Sequence, residues 1–456
     1  MKKIFFFLLI LTGCISNNRR NQDAGISGKL TVIPLEKEMG HVNLTGLSEV
    51  GSSITYIPLE TLDLNLLRNL RKIVVKNDLI VVMNETNNVM MFDLSGRFLR
   101  PIGRRGGQGP GEYQNMLDFC FSFDGRRIFL LTSHISQEGV KCLEFEVEGT
   151  FLNSSIVDSI PVQILPLNEK LFAFHCSNGP APMNPIGQSL IISDLKSIRK
   201  SYKNYHKRYK NPGMSITGSP FYLYQGNLRF KEFGADTLFT VTEDELIPCA
   251  IFDLGKKEIP GDLQIISGDV TETYKKYKGC AWILNILEDT TNFYIRMIDD
   301  RVHNLYGYFD KQTHTVKVIG ELGFQNDLDG GLPFFPKYIY NDSIMVDYVN
   351  ASELRKHVLN SNIEEMQKKY GKRFDDLLKL VNSLDDISNP VVIMVNSITN
   401  VHNDNFKVVL YVDSLDRMNI FPSNPEYQCF LLDKDNKICR PPPFIRKEVV
   451  KMLNYI

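Results

Sequence analysis

Residues 89–113, VMMFDLSGRFLRPIGRRGGQGPGEY, decide the fold of this 456-residue chain. Val89–Phe92 is an apolar strand, Asp93 to Gly96 a tight turn, and Phe98–Ile102 a second strand. Beyond it, Gly103, Gly106, Gly107, Gly109 and Gly111 crowd around Pro110 before the segment ends on Glu112-Tyr113. Glycines at that density mark backbone at positive φ or in close approach to another element.

The hairpin recurs along the chain. Anchored on the residue before the turn, similar segments are EFEVEGTFL at Phe145, ISDLKSIRK at Ser193, TVTEDELIP at Val241, YFDKQTHTV at Phe309 and LLDKDNKIC at Leu432. Counted from Phe92, the anchors are 53, 48, 48, 68 and 123 residues apart. A period of about 50 residues with four short strands per unit is what a β-propeller blade requires. Strand-like runs complete five such units between Lys72 and Ile319, and a sixth opens at Lys337–Tyr340 and Ser343–Tyr348.

Two long gaps have local explanations. Val270–Tyr277 reads as a short helix between the fourth and fifth units. Ala351–Leu359, Ile363–Tyr370 and Phe374–Leu384 carry apolar residues at three- and four-residue spacing, as amphipathic helices do. The β pattern returns in Val391–Val395, Lys407–Val412 and the last hairpin. Closure needs strands from both ends, and Leu30–Leu35 and Ser53–Leu59 are the donors expected for the final blade. The fold class read from the sequence is therefore all-β: a six-bladed β-propeller over 29–456, with a helical insertion at about 351–386 in the last blade.

The N-terminus carries a separate signal. Lys2 and Lys3 precede an eight-residue apolar run, Ile4 to Leu11, too short to span a bilayer. Leu11-Thr12-Gly13-Cys14 resembles the bacterial lipobox, so residues 1–13 read as a lipoprotein signal peptide and Cys14 as the acylated residue. Residues 14–28 are a polar tether. The tether has no acidic run after Cys14, which favours the periplasmic face of the outer membrane over the cell surface.

Composition is ordinary for a globular protein, 43% hydrophobic and 23% charged. Without Lys2 and Lys3, 52 basic residues become 50 against 53 acidic, so the chain lacks the basic field of a nucleic-acid binder. Seven of the eight cysteines follow Cys14, which leaves at least one thiol outside any intrachain pairing. Cys120, Cys142, Cys176, Cys249 and Cys280 sit in apolar strands as core residues, while Cys429 and Cys439 could face each other across CFLLDKDNKIC.

FDLSGRFLRPIGRRGGQGPGEY, together with KEFGADTLFTV at 231–241, NDLDGGLPFFP at 326–336 and NPVVIMV at 389–395, resembles the six-bladed β-propeller lipoproteins of anaerobic Gram-negative bacteria, whose blades are similar to NHL repeats. The resemblance runs from about Ser52 to Val395 and implies fold and envelope location rather than an activity. Two departures stand out: Lys196-Ser197 replaces a glycine turn in the third blade, and some sixty residues follow Val395.

The residues set limits on chemistry. The glycine run is no phosphate loop, because no Lys-Ser or Lys-Thr follows and it leads into a strand. It reads as a blade-to-blade crossover, and Arg104, Arg105, Gln108, Glu112 and Tyr113 on it are candidate ligand contacts at the channel mouth. Asp327 and Asp329 beside Phe335 could recognise a sugar or peptide; their loop lacks the oxygen ligands of a calcium site. Trp282 is either core or a sugar platform. No His-x-x-x-His, Cys-x-x-Cys or Gly-x-Ser-x-Gly occurs, so no metal, no cofactor and no catalytic residue is assigned. The expected function is a lipid-anchored, non-enzymatic binding propeller whose partner is the membrane and an outer-membrane protein or glycan. The alternative is a polysaccharide hydrolase or lyase whose paired carboxylates come from different blades.

Overall fold

The computed structural model describes residues 8–9, 30–107, 109–133, 140–157, 159–176, 187–203, 220–232, 234–258, 278–299, 303–398, 407–411, 428–432 and 438–439. Residues Gly28–Ile398 form one compact unit, and in it six antiparallel sheets are arranged as a six-bladed β-propeller. Blade one is Leu70–Lys76, Leu79–Asn84, Val89–Asp93 and Phe98–Pro101, paired in that order. Blade two runs through Asn115–Phe121, Arg127–Ser133, Val140–Glu146 and Phe151–Val157. Blade three uses Pro161–Pro166, Phe172–Cys176, Gln188–Ser193 and Ile198–Lys203. Blade four uses Phe221–Tyr224, Asn227–Phe230, Thr237–Val241 and Leu246–Asp253, and blade five Ala281–Glu288, Asn292–Asp299, Asn304–Asp310 and Thr315–Gly320.

The repeating acid is what closes the hairpin turns. In blade one Asp93 accepts hydrogen bonds from the Ser95 hydroxyl (2.5 Å), Ser95 N (2.9 Å) and Arg97 N (3.1 Å); these, the hydroxyl's above all, hold its carboxyl below the usual range, and Gly96 follows at φ +85°. In blade three, Asp194 accepts from Lys196 N (2.9 Å) and Ser197 N (2.8 Å). There Leu195 takes the left-handed position at φ +68°, so the acid's bonds hold a turn that lacks glycine.

Blade six closes the ring. Its strands are Tyr338–Tyr340, Ile344–Val349 and Val391–Ser397, and the outermost is Gly51–Pro58 from the other end of the chain. The antiparallel register sets Met394 opposite Thr55 and Asn396 opposite Ser53, so the expected donor 53–59 is in place. The other expected donor is not. Thr31–Pro34 lies parallel to Leu246–Asp253 as a fifth strand on blade four, because Ile33 and Leu35 bury against Phe252 and Leu254 there. The anchor at Leu432 also falls outside the ring. Its strands, Gln428–Leu432 and Ile438–Cys439, join Lys407–Tyr411 and Leu8–Leu9 in a separate four-stranded sheet of the other compact unit. That register puts Cys439 opposite Leu431 rather than Cys429, and the side chains of both cysteines lie outside the described residues.

The core is divided into layers between blades. Val74, Met91, Phe119 and Leu130 fill the space between blades one and two; Ile73, Phe92, Val346 and Val392 fill that between six and one. Each strand face is covered by the next blade, so both faces of a blade read as apolar. Between the second and third strands of blade six stand three helices, Ala351–Leu359, Ile363–Tyr370 and Lys372–Asn382. Leu354, Val358, Phe374, Leu377 and Val381 form their shared core against Val391. His357 Nε2 lies 3.2 Å from Gly330 O, and Arg373 Nη1 donates to Leu328 O at 3.4 Å. The insertion is thus a buttress under the 326–332 turn. The short helix expected at Val270–Tyr277 lies outside the described residues.

Candidate functional site

A cavity of about 750 Å³ runs through the centre of the ring. Its wall takes residues from the first strand of every blade, among them Lys72, Asp118, Gln163, Tyr222, Asn285 and Tyr338, with Lys337 just ahead of the last. A concavity of this size, where many elements converge, is the usual form of a ligand site, and here charged side chains stand among the apolar ones. The crossover into blade six supplies Leu322, Pro333, Phe335 and Pro336 at one mouth.

Most polar groups in the wall tie neighbouring blades together. Lys72 of blade one donates to Asp118 Oδ1 (2.6 Å) and Phe119 O (2.8 Å) of blade two, while Asp118 Oδ2 accepts from Ile164 N (3.0 Å) of blade three. One buried carboxylate therefore links three blades. In blade six, next to blade one, Lys337 is paired with Asp347 and lies 4.2 Å from the centre of the Tyr348 ring. Burial pushes the Asp347 carboxyl up, against the pull of Lys337. Tyr348 in turn donates to Leu70 O of blade one at 3.0 Å. Beside them Tyr306 packs on Phe335, centre to centre 4.2 Å, and Arg296 and Arg71 stand exposed at the same lining.

Of the residues singled out from the sequence, the channel gathers Phe335 alone among the described ones. Arg104 and Arg105 are exposed on the crossover between blades one and two, where a two-residue parallel pairing with Glu112-Tyr113 folds the glycine run onto itself. Glu112 turns inward, accepting from Gly109 N at 3.0 Å and meeting Arg104 Nε at 3.5 Å. Tyr113 is core: its hydroxyl donates to Asn87 O at 3.0 Å, and burial pushes its phenol up to about 12. Gln108 lies outside the described residues, as does Cys14. Trp282 is buried beside Lys231 and Phe252, away from the channel lining. Asp327 binds Ser48 N (2.8 Å) and Oγ (2.5 Å), and buried Asp329 accepts from Tyr56 hydroxyl (3.1 Å) and Gly331 N (3.0 Å). Both aspartates fasten the N-terminal segment to the blade-six crossover.

The family profile described as a domain of unknown function, DUF4934, matches residues 30–396. The chain belongs to the DUF4934 family. This DUF4934 ring is similar to the solved structure of a Bacteroides fragilis protein described as exported: 18% identity, TM-score 0.62, covering 81% of this chain and 100% of that one. That likeness shows the fold. BamB of Moraxella catarrhalis (8% identity, 58% of this chain and 63% of that one, TM-score 0.32) and a Bacteroides caccae protein of unknown function (11%, 55% and 86%, 0.31) are more remote. No curated protein matches this DUF4934 member.

The lining residues missed at the sequence level carry a readable signal. Arg71-Lys72 before Ile-Val-Val, Asp118 within Met-Leu-Asp-Phe, Arg296 within Tyr-Ile-Arg-Met and Lys337 before Tyr-Ile-Tyr are charges set into apolar strands near the channel. Among the described residues no helix is long and apolar enough to cross a membrane, and no three His, Cys, Asp or Glu side chains could hold a metal.

Proposed function

We propose that this DUF4934 protein is a lipid-anchored, non-enzymatic binding propeller of the cell envelope, with its ligand at the mouth of the central channel. The cavity walled by the first strand of every blade carries the reading, since a rigid ring brings six sets of side chains to one point. The leader ending in Leu-Thr-Gly-Cys14 supports acylation and attachment to the outer membrane, periplasmic face, and the described exported neighbour is consistent with an envelope address. The partner is an outer-membrane protein or a glycan.

A substitution that fills the channel tests this. Leu284, half-buried in the wall, becomes Trp, and the variant is compared with the parent on a glycan array and against immobilised outer-membrane fractions. The reading expects a signal that L284W removes; no signal, or one that L284W leaves intact, overturns it. Metabolic labelling with a tritiated fatty acid, lost in Cys14→Ser, tests the anchor.

The enzymatic alternative has one supporting group, Asp347, whose buried carboxyl is pushed up as a general acid requires. Both channel carboxylates are, however, engaged by lysines, Asp118 by Lys72 and Asp347 by Lys337. Release of reducing sugar ends from envelope polysaccharides by the parent, lost in Asp347→Asn, would favour that alternative.

A further inference from the structure

We infer that the channel mouth takes a ligand bearing an oxyanion, a carboxylate or a sulfate, held by Arg71 and Arg296; this rests on the channel being a binding site and names the chemistry it selects.

Charge gives the first indication. The lining holds five cations, Arg71, Lys72, Lys76, Arg296 and Lys337, against two acids, Asp118 and Asp347, a local excess of 5 − 2 = +3. The chain as a whole carries −1, so the channel is not a sample of the surface. A cleft of one sign with low-dielectric walls focuses field and raises the local concentration of the opposite ion.

The cations then divide by partner. Lys72 and Lys337 are neutralised by Asp118 and Asp347, and Lys76 is spent on Ser122 O (3.3 Å) and Phe123 O (2.7 Å) at the far end of its strand. The two arginines are different. Arg71 Nη1 donates to the Asn87 amide oxygen at 2.6 Å; Arg296 Nε and Nη2 donate to the Asn304 amide oxygen at 3.3 and 3.0 Å. Neutral amides orient a guanidinium without cancelling its charge. Among the described residues neither arginine has a carboxylate partner, and each retains N–H donors in the fork geometry that suits a planar or tetrahedral oxyanion.

A second feature points to the same place. Asn285, on the channel wall, is opposite Arg296 in the ladder, and its amide oxygen is shielded from solvent with no hydrogen-bond partner. Turned to the channel surface that Asn285 lines, this acceptor would be satisfied by a hydroxyl or N–H of the ligand, so the ligand we infer carries such groups as well as the anion. Tyr306, packed on Phe335, and Tyr348, with Lys337 over its ring, offer aromatic surface near Arg296 for an apolar face.

The test uses the full mature chain in affinity gels containing alginate, whose anions are carboxylates, dextran sulfate, or neutral dextran, at low and 0.5 M salt. Retardation by alginate, dextran sulfate or both, but not by dextran, is expected, and which gel retards names the anion. The double variant R71Q/R296Q should weaken it at least tenfold, whereas R97Q/R126Q, on exposed hairpin turns, should not change it. Asn285→Leu should weaken binding of alginate more than that of dextran sulfate, because alginate presents more hydroxyls. Polyanion binding lost in L284W but kept in R71Q/R296Q overturns this inference and leaves the channel reading standing. Binding kept in both overturns the two together, and equal retardation by neutral dextran overturns the oxyanion assignment.

Discussion

Asn389→Ala measures how the ring is held shut. Asn389 stands just before the third strand of blade six and is 2% exposed. Its Oδ1 accepts from Leu67 N at 2.8 Å, and its Nδ2 donates to Glu60 O (2.8 Å), Asn65 O (3.1 Å) and Asn65 Oδ1 (3.2 Å). One side chain thus stitches the last blade to the segment that leads from the closing strand into blade one. Truncation leaves Leu67 N–H and Asn65 C=O buried without that partner; Glu60 O keeps Asn65 Nδ2 at 2.9 Å. An unsatisfied buried group costs about 1–3 kcal/mol, so two of them, partly relieved by relaxation, give an expected loss of about 2–4 kcal/mol. Asn389→Asp keeps the acceptor for Leu67 but points a second acceptor at two carbonyl oxygens, and should be no better. Urea unfolding reads the loss as a lower midpoint at unchanged slope. Hydrogen exchange should show protection falling first in Gly51–Pro58 and Leu70–Lys76 rather than in blade three. A loss below about 0.5 kcal/mol by the same urea measure, or exchange that rises evenly around the ring, would show that Asn389 is not the clasp.

Three further outcomes come from the same contacts. Lys72→Met strands the Asp118 carboxylate among three blades and should cost about 2–3 kcal/mol, discounted because Lys72 is a quarter exposed; K72M/D118N should recover part of it in a double-mutant cycle. Burial lowers His175 from 6.5 to about 4, so the unfolded chain binds its proton first and stability, full above pH 6.5, falls as pH drops towards 4. That window is worth up to about 3 kcal/mol, and His175→Gln should flatten it in an acid titration of the urea midpoint. Gly96→Ala forces a methyl against Pro58 O from backbone at φ +85°, and should lower the thermal midpoint by loosening the turn that touches the closing strand.

The blades were legible because their signal is local. Alternating apolar runs broken by an acid-led turn specify a hairpin wherever they occur, and Asp93, Asp194 and Asp310 each accept from the backbone N–H two residues on in three blades. The insertion was legible for the same reason, its apolar spacing at Leu354, Val358, Leu377 and Val381 being that of a helix core. What failed was long-range. Leu30–Leu35 and Ser53–Leu59 look alike as strands, and only the matching of Ile33 and Leu35 to Phe252 and Leu254 sends the first to blade four. The hairpin at Leu432 carries the local signal without joining the ring. The channel wall was less legible than the blades. The glycine run drew attention to Glu112 and Tyr113, which hold a crossover together, whereas Arg71 and Arg296 sit in plain strands and acquire meaning only when six strands face one axis.

The strand that completes blade six imposes an order on synthesis. Ser53 and Asn396 bond side chain to side chain although 343 positions separate them, so a nascent chain has made five blades before the partner of its earliest ring strand exists. Until then the polypeptide is an open fan with two naked rims, and a premature stop ahead of codon 391 would leave it so, ready to stack rim to rim with its neighbours. Late closure of an otherwise assembled fan fits such a molecule better than completion blade by blade.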